Sequence, residues 1–107
     1  MLASCGLKDA TIEKIRSVFS HYPQVDEVIL YGSRAMGRHR NGSDIDLTMV
    51  GEGVTHSLQL KIENELDDLL LPYKIDLSVM DAIDNADLLD HIRRVGLVFY
   101  RRLQEYQ

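Results

Sequence analysis

Two stretches of this chain alternate so cleanly that they restrict its fold before anything else is considered. In "SDIDLTMV" (43–50), Ile45, Leu47 and Met49 fall on one parity, and Asp44, Asp46 and Thr48 on the other. In "YKIDLSVM" (73–80), Ile75, Leu77 and Val79 alternate with Lys74, Asp76 and Ser78. Successive side chains of a strand point to opposite faces of its sheet, so each stretch predicts a strand with one apolar face and one face bearing carboxylates. The apolar face must be covered, and that requires amphipathic helices elsewhere in the chain.

Helical spacing supplies them. Residues 9–20 carry Ile12, Ile15, Val18 and Phe19 at helical intervals with acids near the start, and "HYP" breaks the pattern at Pro23. Residues 55–70 set Leu58, Ile62, Leu66 and Leu69 on one face, behind Thr55 as an N-cap and ahead of Pro72 as a stop. A third helix, about 85–95, turns Leu88, Leu89, Ile92 and Val95 inward and ends at Gly96. "DEVILYG" (26–32) reads as a buried strand closing on a turn, and "LVFY" (97–100) as a short final strand. The expected fold is α/β (α+β), a small sheet with helices packed on it, in one domain spanning 1–107. The link between the first two strands is too short for an ordinary crossover, which predicts antiparallel neighbours and a mixed sheet.

Composition bounds the function classes. A chain of 107 residues buries roughly two-thirds of its unfolded surface as one domain. Its 45% hydrophobic and 27% charged residues are those of a globular protein. A net charge of −5 argues against direct nucleic-acid binding, which draws its affinity from neutralising phosphates. A local basic segment remains in "RAMGRHR" (34–40), with Arg34, Arg38, His39 and Arg40 and no acid among them. Cys5 is the only cysteine, so no intrachain disulfide forms and a reducing cytoplasm is the expected location. The opening "MLASCG" is superficially like a lipoprotein cleavage site but has no charged and apolar regions before it. No apolar run approaches the ~20 residues of a membrane span.

The polar parity carries the chemistry. Asp44 and Asp46 share a face with backbones about 7 Å apart, and Asp76 joins them if the two alternating strands are neighbours. Three bare carboxylates repel one another, and a divalent cation relieves that repulsion. Hard oxygen ligands suit Mg²⁺ or Mn²⁺, which bind a few carboxylates together with substrate phosphates. Upstream, Gly32-Ser33 ends a strand and opens a short turn of helix whose N–H groups and Ser33 hydroxyl suit an anion. Arg34, Arg38 or Arg40 can add charge-assisted bonds. "GSRAMGRH" has Walker A glycine spacing, but Arg38-His39 stand in place of its Lys-[Ser/Thr], and G-x-G-x-x-G is absent.

Taken singly, each feature has a plainer reading. An isolated D-x-D is usually a solvated strand face, and a lone Gly-Ser only a turn. His21, His39, His56 and His91 lack metal-ligand spacing and are read as non-ligands; Cys5 is read as inert. The paired arginines at 93–94 and 101–102 read as a solvated face or an interface. It is the combination, in order and on elements of the right type, that lifts the aspartates above these readings.

That combination, "GSRAMGRHRNGSDIDL", resembles the G-S-x-x-x-G…S-D-x-D-L signature of the DNA polymerase beta-like nucleotidyltransferase superfamily. "YKIDLSV" looks like the strand bearing its third carboxylate, and "IRRVGLVFY" resembles the I-x-x-x-G-x-x-x-Y ending of the minimal nucleotidyltransferase (MNT) branch. The resemblance runs from about Asp26 to Tyr100, and its first motif is the specific one. It implies that Gly32 and Ser33 bind nucleotide phosphates, and that Asp44 and Asp46 ligate two divalent metal ions. Asp76 would complete the site as a ligand or as the base for an acceptor hydroxyl. Ser43 matches the family and would cap the turn or touch phosphate, while Met36 departs from it, since many relatives carry arginine there.

The resemblance further implies an NTP substrate, with ATP expected, and a separate all-helical HEPN partner. The pair would act as a toxin–antitoxin system in which a tyrosine of the toxin is adenylylated. Two other readings stand beside it. One is a non-catalytic antitoxin that masks its partner by contact alone; the other is transfer to a small molecule such as an antibiotic, with a homo-oligomer supplying the acceptor cleft.

Overall fold

After Glu27, the segment 28–31 is apolar and β-branched in part, which favours a strand covered on both faces. With Glu27 it forms β1 (Glu27–Tyr31), an interior strand of a four-stranded sheet. The computed structural model describes Leu2 and residues 5–103; Met1, Ala3 and Ser4 of the opening stretch lie outside the described residues. The elements run α1 (Asp9–Ser20), β1, α2 (Gly32–Ala35), β2 (Ile45–Val50), α3 (His56–Asp68), β3 (Ile75–Val79), a 3₁₀ turn (Met80–Ala82), α4 (Ala86–Val95) and β4 (Leu97–Arg101). The sheet order is β3-β2-β1-β4. As the short connection requires, β1 is antiparallel to β2; it is also antiparallel to β4, while β2 and β3 run parallel.

The alternation of β2 and β3 sorts the two faces. Ile45, Leu47 and Met49 are fully buried and Leu77 nearly so, in one cluster with Ile12, Ile15 and Phe19 of α1 and Ile62 and Leu66 of α3. Ile75, near the sheet edge, is half-buried and packs against that cluster. Thr55 caps α3, its hydroxyl accepting from Leu58 N at 3.2 Å. The helix stops earlier than the proline predicts: Asp68 is its last residue, and Leu70 reverses the chain at φ 54 before Pro72 is reached. At the other end of this layer, Tyr22 Oη donates to Glu65 at 2.5 Å and His21 lies 3.0 Å from the same carboxylate, tying α1 to α3. The hydrogen bond to Glu65, more than burial, pushes the Tyr22 hydroxyl up to about 12.

Helix α4 departs from expectation. Only Ile92 is buried on it; Leu88, Leu89 and Val95 are half-exposed. None of these residues belongs to the α1–α3 core cluster. Instead α4 packs on β1 and α2, on the sheet face that bears the aspartates. The 3.6-residue period identifies an apolar stripe, not the face of the sheet it covers. Beyond it, the edge strand β4 is bound to β1 by ion pairs, Arg101 to Glu27 at 2.8 Å, with Arg102 reaching Asp26 at 2.7 Å.

Candidate active site

Strand β1 ends at Tyr31, and the next residue turns the chain sharply. Gly32 sits at φ 76, a conformation open to glycine and costly to other residues. A Cβ at this position would collide with Oδ2 of Asp46, so the turn lies directly on the carboxylate. Asp46 pairs in register with Tyr31 on one side and with Asp76 on the other. Asp44 comes two residues earlier, just before β2 begins.

These carboxylates feel one another. Asp46 is half-buried, and its carboxyl is held above the usual aspartate range, first by desolvation and then by the Asp76 and Asp44 charges; Arg34 pulls the other way. Asp44 and Asp76 are exposed. Among the described residues, however, no three His, Cys, Asp or Glu side chains are close enough to hold a metal ion as they stand. Asp44, Asp46 and Asp76 thus share a face and a mutual repulsion without forming a closed ligand set. Like charges without a cation between them have no reason to close further. The donor set itself fits a hard divalent ion, being all carboxylate oxygen beside a glycine that leaves room for phosphate.

The residues between turn and strand divide their roles. Ser33 is half-buried, and its hydroxyl makes no hydrogen bond among the described residues; its carbonyl accepts from Arg38 N at 2.8 Å. The Arg38 side chain is exposed, with no hydrogen bond or ion pair among them. Ser43 caps its own turn, Oγ accepting from Arg40 N at 2.8 Å. Arg34 is not the phosphate arm that its place in the motif predicts. It is 2% exposed, donates from Nη2 and Nε to the Ser43 carbonyl (2.8 and 3.2 Å) and from Nη1 to the Cys5 carbonyl (2.9 Å), and stacks on Tyr73 at 4.9 Å. The guanidinium fork thereby fixes the carbonyl immediately before Asp44. It also gives Cys5 a place, fully buried with its backbone clamped.

Three residues of this face were missed by the motif reading. Tyr31 lies beside Asp46; burial is the main cause that raises its hydroxyl pKa, Ser78 opposes, and Asp46 and Asp76 raise it further. Thr48 is fully buried with Oγ1 unpartnered among the described residues. Both are on the aspartate parity; the alternation of β2 already places Thr48 there, and the same alternation carried through β1 would have found Tyr31. His91 is the third: its Nε2 accepts from Gly32 N at 3.2 Å, and its ring meets Tyr31 edge-on at 6.3 Å. No spacing rule points from residue 91 to residue 32.

A glycine-serine turn closing a strand over a second strand of paired aspartates, on a mixed sheet of this order, defines a nucleotidyl-transfer domain. The chain belongs to the polymerase beta nucleotidyltransferase family, whose model matches residues 13–105, and it is a nucleotidyltransferase. Its fold is shared with solved toxin–antitoxin complexes. One, a toxin–antitoxin with AMP-PNP, superposes with a TM-score of 0.68 at 18% identity, over 90% of this chain and 75% of that one. The MntA–HepT complex gives 0.66 at 15%, over 89% and 74%. A tri-AMPylated Shewanella oneidensis HEPN toxin in complex with MNT antitoxin gives 0.66 at 15%, over 90% and 74%. At these identities the likeness is one of fold. No curated protein sequence matches the chain.

Proposed function

We propose that this chain transfers a nucleoside monophosphate, AMP from ATP, to a hydroxyl of a separate all-helical HEPN-type protein, as the antitoxin of a toxin–antitoxin pair. The observation that carries the chemistry is the apposition of Gly32 on Asp46, because it puts a phosphate-accepting turn against a carboxylate with nothing between them. The partner class is supported by the similar folds, one solved with AMP-PNP and another beside an AMPylated HEPN toxin.

In this reading Ser33 Oγ and the turn hold the triphosphate, and Arg38, exposed at the end of the same turn, meets its outer charge. Asp44, Asp46 and Asp76 hold Mg²⁺ or Mn²⁺, which supplies neutralisation between triphosphate and carboxylates. The acceptor hydroxyl oxygen bonds to the α-phosphorus, the bond from that phosphorus to the bridging oxygen of the β-phosphate breaks, and pyrophosphate leaves. Asp76, exposed at the open side of β3, takes the hydroxyl proton.

The test is incubation with Mg²⁺, a purified all-helical HEPN-type protein, and ATP labelled on either the α- or the γ-phosphate. Label from the α position should enter the partner protein, and label from the γ position should emerge as pyrophosphate. Label entering from the γ position instead would make the reaction phosphoryl transfer and overturn the assignment. A partner that stays unlabelled yet is neutralised would favour masking by contact.

A further inference from the structure

A glycine at φ 76 has no side chain to hold it there, and glycine samples positive and negative φ about equally in a free chain. Something must keep Gly32 in the one conformation that lays the turn on Asp46. Its N–H donates to His91 Nε2 at 3.2 Å, so the imidazole carries its proton on Nδ1 and acts here as an acceptor. The ring is itself held, edge-on to Tyr31 at 80°, and its chain neighbour Ile92 is buried at 2% exposure. At the end of α4, Gly96 lies so close to Ile29 of β1 that a Cβ would press on the Ile29 side chain. Helix α4 is thus anchored just past His91, by the buried Ile92 and by the close approach of Gly96 to β1. Meanwhile Ser33 Oγ has no hydrogen-bond partner among the described residues, so the turn divides its labour: Gly32 gives shape, and Ser33 gives a free polar group.

We propose that His91 is a positioning residue for the nucleotide: by holding the Gly32 N–H it fixes the left-handed glycine and preorganises the turn before a triphosphate arrives. This role rests on the nucleotidyl-transfer reading of the site. Preorganisation raises affinity by removing an ordering cost that binding would otherwise meet.

Two variants separate the hydrogen bond from the packing. His91→Phe keeps a ring edge-on to Tyr31 but has no acceptor; His91→Gln loses the ring but puts a carbonyl oxygen near the Nε2 position. The readouts are amide hydrogen exchange at Gly32 in the ligand-free protein, calorimetric binding of Mg·ATP, and the thermal midpoint. For His91→Phe, Gly32 should exchange faster and the Kd for Mg·ATP should rise about fivefold, the worth of one ordinary hydrogen bond, with the thermal midpoint lowered by no more than the ~4–8 °C that one such bond is worth. His91→Gln should restore most of the affinity and the protection. Unchanged affinity in His91→Phe would overturn the role, and tighter binding would make His91 a competitor for an N–H that belongs to phosphate. Should wild-type protein fail to bind Mg·ATP while Gly32 exchange still responds to His91→Phe, the transfer reading falls and takes the positioning role with it. If wild type binds and both variants match it, the positioning role alone falls.

Discussion

Asp46 and Gly32 are made for each other, and each can be tested against its neighbour. The Asp46 carboxyl is raised by burial and by the Asp76 and Asp44 charges, so the folded chain holds that proton more tightly than the unfolded chain does. The sign of the linkage follows. The contribution of Asp46 to stability is greatest below the ordinary aspartate range and is lost as pH climbs from there through the raised value in the folded state. Asp46→Asn removes the titration while keeping the side-chain size. In chelator at neutral pH it should melt a few degrees above wild type, and the two curves should meet at acid pH. An advantage independent of pH would mean that repulsion among the aspartates is not its cause. Gly32→Ala has two costs, the left-handed φ and the collision with Asp46 Oδ2. Gly42, at φ 80 with open space around it, has only the first. Gly42→Ala should therefore cost about 1 kcal/mol, and Gly32→Ala at least twice that together with loss of nucleotide binding. Equal urea midpoints for the two would show that the close approach to Asp46 is idle.

Among the elements, α3 carries a defect that its sequence could remove. Leu70 adopts φ 54 just past the helix end and is 87% exposed, so a bulky residue occupies a position that suits glycine and gains little from burial. Leu70→Gly should raise stability by about 1 kcal/mol, or ~4–8 °C in Tm. A fall in Tm would mean that the leucine contributes contacts its exposure hides. The same helix shows what sequence can and cannot tell. Thr55 is legible as a cap because the rule is local, an oxygen two or three residues ahead of an orphan N–H. The faces of β2 and β3 are legible because alternation is local too, and the short 32–44 connection was enough to predict antiparallel β1 and β2. The face that α4 covers was not legible, because both faces of β1 are apolar and either would accept an apolar stripe. Arg34 was misread for a related reason: its motif position says phosphate, but its guanidinium is committed to carbonyls at Ser43 and at Cys5, the latter 29 residues away in sequence. His91 on Gly32 spans 59 residues and obeys no period at all.

For the molecule as a whole, charge and layering decide what the proposed nucleotide and the proposed partner would each require. A chain of net charge −5 that also presents Asp44, Asp46 and Asp76 beside its phosphate turn should repel a bare triphosphate. Calorimetry with ATP should show little binding in chelator and a clear gain with Mg²⁺ or Mn²⁺; equal affinity in both would remove the aspartates from the binding step. The partner is a separate matter. Helices α1 and α3 cover one face of the sheet and the aspartates occupy the other, so a change confined to the carboxylates leaves one whole helical layer untouched. Asp44→Asn and Asp46→Asn should each abolish nucleotide transfer, by 100-fold or roughly more if both help hold the ion, without unfolding the chain. If the helical layer carries the partner, the complex should form with either variant as it does with wild type. The outcome that matters is then whether the complex alone silences the partner. Transfer and neutralisation lost together, with the complex intact by size-exclusion chromatography, would show that modification is the antitoxic act. Neutralisation that survives the loss of transfer would show that contact suffices, and that the aspartates serve a reaction the antitoxic effect does not need.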